Sequence, residues 1–217
     1  MLALPKVVKG SAIVRAYYLI IAAAALALSS SVAIGQTIIE EWSNVKPPPA
    51  PEVKPFAPDD KTALLLLDFG KQNCGQRPRC AASVPKVQKL ADDARAKNIM
   101  VVHSLFGQAT RADLMIAPRD GEPSVTSGAN KFVRTDLEKI LKEKGITTVI
   151  VTGTAAHGAI LNTGAMAALL GFKVVVPVDA ISAAEEYAEQ YTVWHLANAP
   201  GGIGPNVTIT KMDGIKF

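Results

Sequence analysis

Cysteine, aromatic side chains and charge are all scarce in this chain of 217 residues. Its only cysteines, Cys74 and Cys80, are too few for a site of four thiolates. Charged residues make up 19% and hydrophobic ones 49%, a balance that excludes an intrinsically disordered chain. Acidic residues are missing altogether from positions 1–35, where Lys6, Lys9 and Arg15 lie, so most of the formal charge of +4 belongs to the N-terminus. The other 182 residues carry a net +1, and charge therefore gives no reason to expect nucleic acid as a partner. Internal repeats, a three-glycine dinucleotide fingerprint and an HExxH metal motif are absent as well.

What residues 1–35 do contain is the layout of a secretory signal. The basic start precedes Ala16–Leu28, 13 uncharged and mostly apolar residues. Small residues, Ala33 and Gly35 among them, then lead to a cut before Gln36. A core this short and alanine-rich is poor at spanning about 30 Å of hydrocarbon, so the expectation is cleavage, a periplasmic or secreted mature protein and no membrane association afterwards. In an oxidising compartment Cys74 and Cys80, on either side of a turn-rich stretch, are expected to form a disulfide. The alternative is a reactive thiol whose pKa is lowered by Arg77 and Arg79.

The mature chain opens with Gln36–Val45, whose Ile38, Ile39, Trp42 and Val45 fall at helical spacing and predict a short docking helix. Lys46–Pro58 carries six prolines in 13 residues and predicts an extended arm. The domain proper is assigned to residues 61–217. Strand-like runs at Thr62–Asp68, Ile99–His103, Thr147–Thr152, Phe172–Val178 and Val207–Thr210 alternate with helical patterns at Ser83–Lys97, Thr135–Lys144, His157–Leu170 and Ala184–Ala199. Continuous Val/Ile/Leu strands in β-α-β order predict an α/β fold, a three-layer α/β/α domain with a mostly parallel sheet of about six strands. The loop Ser104–Pro123 is long enough to suggest a functional rim. Tyr187, Tyr191, Trp194 and His195 at helical spacing suggest an interface in a homo-oligomer.

In such a sheet ligands bind beyond the carboxyl ends of the strands. Asp68 ends the first strand, His103 the second, and the Thr147–Thr152 strand runs into Gly153-Thr154-Ala155-Ala156-His157-Gly158. Asp68 is a candidate acting group or a cap, His157 and His103 are candidate partners or backbone-bonded residues, and Asp179 reads as a cap. Gly158 is followed by Ala159 and Ile160, not by the Lys-Ser/Thr of a phosphate loop. The segment still offers backbone N–H groups at a helix start, suited to an oxyanion. Ala155, Ala156, Ala159 and His103 are accordingly the expected substrate contacts. Small-molecule binding is expected, with no cofactor and no metal.

The runs TALLLLDFGKQNC (62–74) and KFVRTDLEKILKEKGITTVIVTGTAAHGAILNTGAMAALLGFKVVVPVDAIS (131–182) resemble the isochorismatase-like cysteine hydrolases over residues 61–212. The resemblance implies an Asp/Lys/Cys triad that hydrolyses small amides, or cleavage of a vinyl ether such as isochorismate through the strand-one aspartate. Asp68 falls on that aspartate. The nucleophile position falls on Ala159, whose methyl group cannot attack a carbonyl, so thioester chemistry is not expected. The family lysine falls near Thr126 or Ser127, and Lys131, a few residues later, serves only if the loop is rearranged. The catalytic candidates are thus Asp68, His157 and Lys131. The open alternative is a non-catalytic descendant that binds a ligand or serves in assembly.

Overall fold

The computed structural model describes residues 37–217, so the expected signal segment lies outside the described residues. A compact unit spans Ala50–Phe217; residues 37–49 belong to a separate unit. Residues 38–44 are a run of turns, with N–H groups of Glu41 and Val45 bonded four residues back and those of Trp42 and Asn44 three back. The predicted docking helix is therefore absent, as expected where so short a stretch cannot offset the cost of helix nucleation. Residues 46–58 form no helix, and their one β-bridge is at Phe56. Within the compact unit, Lys54 N–H donates to the Ile209 carbonyl at 2.8 Å, and Phe56 pairs in parallel with Ile215.

Seven strands form one parallel sheet among the described residues. They are β1 (Thr62–Leu67), β2 (Met100–Leu105), β3 (Ser124–Thr126), β4 (Thr148–Thr154), β5 (Lys173–Pro177), β6 (Ile181–Ser182) and β7 (Val207–Thr210). The order is β3-β2-β1-β4-β5-β7, with β6 paired to β4. Helices α1 (Pro78–Ala96), α2 (Leu137–Glu143), α3 (Leu161–Leu169) and α4 (Glu186–Asn198) complete the fold. Three-residue β3 and two-residue β6 are too short to leave a pattern, which is why the sequence reading did not locate them.

Alternation along β1 divides the core. Ala63, Leu65 and Leu67 pack with Leu137, Leu141, Ala167 and Leu196 of α2, α3 and α4. Leu64 and Leu66 pack with Val87, Leu90, Ala91 and Ala94 of α1. Both faces are covered, so strands become continuous apolar runs. Three helices hand over to the next strand by one device. At the ends of α1, α2 and α3 the N–H groups of Ile99, Ile146 and Phe172 reach back to Ala94, Leu141 and Ala167. In each, a left-handed residue (Asn98, Gly145, Gly171) makes the turn.

Helix α1 starts earlier than the Ser83 cap predicted. Pro78 sits in its first turn, where its missing N–H costs nothing, and Pro85 is accommodated inside. Ser83 instead donates its hydroxyl to the Cys80 carbonyl at 2.8 Å. Helix α2 begins at Leu137, two residues after the predicted start, because the Thr135 hydroxyl bonds the Lys131 carbonyl and accepts the Leu137 N–H. Cys74 and Cys80 form a disulfide, and Arg79 is engaged with Glu186 and Glu189 at the start of α4. Asp179 makes no local cap and instead accepts the Met212 N–H, 33 residues on, at 2.8 Å.

At one point β4 approaches β1 so closely that no side chain fits. A Cβ on Gly153 would lie 1.9 Å from the Leu67 carbonyl oxygen, and its φ of +129° disfavours any other residue. Gly153→Ala is predicted to destabilise the fold by at least about 3 kcal/mol, read as a lower urea midpoint with an unchanged slope.

Candidate active site

Asp68 follows β1 with φ +58°, a left-handed conformation that costs a residue with a Cβ about 1–2 kcal/mol. The turn holds its carboxylate beyond the sheet, where it is 5% exposed. Lys131, 0% exposed, places Nζ 2.8 Å from Asp68 Oδ2. The ammonium donates as well to the carbonyls of Gly128 at 2.8 Å and Ser127 at 3.3 Å, so all three of its protons are used. Phe106 lies with its ring centre 5.9 Å from Nζ. The Lys131 backbone N–H donates to the Thr163 hydroxyl of α3 at 3.1 Å.

Lys131 therefore reaches the strand-one aspartate, and the expected match near Thr126 or Ser127 is corrected. The turn from Ser127 to Asn130, closed by the Ser127 hydroxyl on the Asn130 and Val133 carbonyls, brings Lys131 to Asp68. Ser104, which the sequence reading passed over, completes the surroundings: its hydroxyl donates to Asp68 Oδ1 at 2.6 Å and accepts the Asp68 N–H at 3.0 Å. A small cleft beside the pair is lined by Ser104, Phe106, Ala109 and Leu114, facing Lys71 and Asn73.

His103 is not part of this site. Strand β2 continues two residues past it, and its side chain shares the α1 face with Val101 while Ser104 shares the opposite face with Val102. His103 Nε2 meets Glu122 Oε2 at 2.8 Å. Glu122 also takes a two-pronged contact from Arg95, at 2.7 and 2.9 Å, and the Arg119 N–H. Burial alone would raise the Glu122 carboxyl, but the Arg95 guanidinium, the Arg119 N–H and the His103 ring hold it down at about 2. Burial lowers the His103 pKa against the opposing pull of Glu122. The network ties the loop between β2 and β3 to α1, which makes His103 a support of the rim.

His157 is exposed and makes no hydrogen bond to Asp68 or Lys131, so the structure does not assemble it with the pair. It lies on a π-helical turn, Ala156–Ile160, that leads into α3. Ala156 and Ala159 on this turn are buried, and Ala155 before it is half-buried. No group of three or more His, Cys, Asp or Glu side chains among the described residues is arranged to hold a metal ion.

A parallel three-layer sheet with an Asp–Lys pair at the end of its first strand defines a hydrolase-like α/β domain. The isochorismatase domain model matches residues 62–203, and the chain belongs to that family. It is 31% identical over 113 residues to a secreted isochorismatase effector of Verticillium dahliae, covering 46% of this chain and 60% of the effector. It is 29% identical over 142 residues to an uncharacterised isochorismatase family protein of Bacillus subtilis, covering 58% of this chain and 75% of that protein. Among solved structures, an isochorismatase family protein from Desulfovibrio vulgaris superposes with a TM-score of 0.62 at 21% identity, over 71% of this chain and 96% of that one. At that identity the likeness establishes the fold.

Two measurements follow from the charges. Glu122 held below its ordinary value of 4.5 adds stability that is lost as pH falls from there towards about 2. His103, lowered from 6.5, leaves the unfolded chain the better proton acceptor, so acid already costs stability below about pH 6.5. The thermal midpoint should therefore fall steadily from pH 7 to pH 3, and Glu122→Gln should lower the midpoint at pH 7 and flatten the decline below pH 4.5. Separately, Lys131→Met should cost about 3–5 kcal/mol by leaving a buried carboxylate unpaired, and adding Asp68→Asn should recover most of that loss in urea unfolding.

Proposed function

We propose that the chain is an exported hydrolase of a small molecule that works without a thiol, by acid–base chemistry at the Asp68–Lys131 pair. One observation carries this reading: the buried pair, 2.8 Å apart, is retained while the nucleophile position is held by Ala159. The only two cysteines are joined to each other. Both observations speak against an amide hydrolase that forms a thioester. A vinyl ether needs no covalent nucleophile, only a proton donor and water.

The steps balance. A proton passes from Lys131 through Asp68 to the terminal CH2 of the enol ether, giving an oxocarbenium ion. Water adds to the cationic carbon and loses its proton to the pair. That proton restores the pair, and the hemiketal then breaks its C–O bond as the pair takes the hydroxyl proton and passes one to the departing oxygen, releasing a ketone and an alcohol. Whichever of the two groups holds the shared proton, a hydrogen bond between them survives, and this suits a buried site. Export is supported by the disulfide, by the signal-like N-terminus and by the fungal relative's being named a secreted effector. A second reading, a non-catalytic ligand-binding or assembly protein, rests on Ala159 alone.

With isochorismate as substrate, Asp68→Asn should lower kcat by about 100-fold or more, and iodoacetamide should leave the wild-type rate unchanged. Equal turnover by Asp68→Asn, or inactivation by the thiol reagent, would contradict the proposal. Saturable isochorismate binding with no turnover by the wild-type protein would favour the second reading.

A further inference from the structure

We infer that Ser104 is the positioning residue that sets the orientation of the Asp68 carboxylate; this rests on the reading of Asp68 as the acting group. The β1–β2 ladder ends with Leu66 opposite His103. Beyond it, the left-handed backbone at Asp68 (φ +58°) takes the Asp68 N–H out of the ladder, and a side chain of β2 receives it instead. The acceptor is Ser104 Oγ, at 3.0 Å.

The direction of the chain of bonds is then fixed. A serine hydroxyl has one proton. Since its oxygen accepts the Asp68 N–H, that proton goes to Asp68 Oδ1, 2.6 Å away. Lys131 occupies Oδ2 at 2.8 Å. Each carboxylate oxygen thus has its own donor from a different element, β2 on one side and the β3–α2 connection on the other, and the carboxylate plane cannot turn without losing one of them. Ser104 is fully buried, which holds its hydroxyl in this one arrangement. A methyl group there would leave a buried N–H unpaired and Oδ1 without its donor. Neighbouring His103 cannot take over, because its side chain lies on the α1 face.

The test combines turnover with a measurement that needs none. On isochorismate, Ser104→Ala should lower kcat by about tenfold or more, as expected when a reacting group loses its orientation, with KM within about twofold. Ser104→Thr, which keeps the hydroxyl, should restore kcat to within about threefold of wild type. Independently, the Asp68 amide should exchange with solvent at least about tenfold faster in Ser104→Ala than in the wild-type and Ser104→Thr proteins. Unchanged kcat in Ser104→Ala, or unchanged exchange at the Asp68 amide, overturns the assignment. Should the wild-type protein fail to turn isochorismate over, the proposed function falls, and amide exchange alone decides the place of Ser104.

Discussion

A carboxylate and an ammonium, both stripped of water, face each other at the end of the central strand, and much of the molecule is arranged to keep them there. An isolated buried charge is too costly to survive, so each must be met by a partner in good geometry. Asp68 takes one donor per oxygen, from Ser104 and Lys131, and Lys131 spends all three protons on Asp68 and two carbonyls. Its own backbone is held by Thr163 of α3 and Thr135 before α2. The helices that cover one face of the sheet thus also hold the cation.

Strand parity assigns the surrounding residues to separate tasks. On β2, Ser104 turns to the pair, while His103 turns to Glu122 and Arg95 behind the sheet. One network bears on the Asp68–Lys131 pair and the other on the loop that rims the cleft. The close approach of Gly153 to the Leu67 carbonyl sets β4 against β1 one residue before Asp68. The π-helical turn with Ala159 follows from that end of β4. Ala159 is buried on that turn, at the position where the proposed reading has no nucleophile.

The layered fold was legible because its signals are local and repeated: buried strands read as unbroken Leu/Val/Ile runs, and helices carry apolar stripes. The ends of elements were less so. Ser83 looked like a helix start, yet the chain begins α1 at Pro78. Asp68 was visible as a charge closing an apolar run. Lys131 was a candidate, but its arrival at Asp68 depends on the turn from Ser127 to Asn130, which spacing alone does not encode. Ser104 was missed because β2 was ended at His103. Counting alternate residues from Val102 would have put a hydroxyl on the site face and the histidine behind it.

The central claim, that the pair protonates an enol ether and water then adds to the resulting cation, is tested most directly by hydrolysing isochorismate in water enriched in oxygen-18. The account predicts that the ring hydroxyl freed by the reaction keeps its original oxygen, since the bond that breaks joins that oxygen to the enol carbon. Heavy oxygen in the ring hydroxyl would mean displacement at the ring and would contradict it.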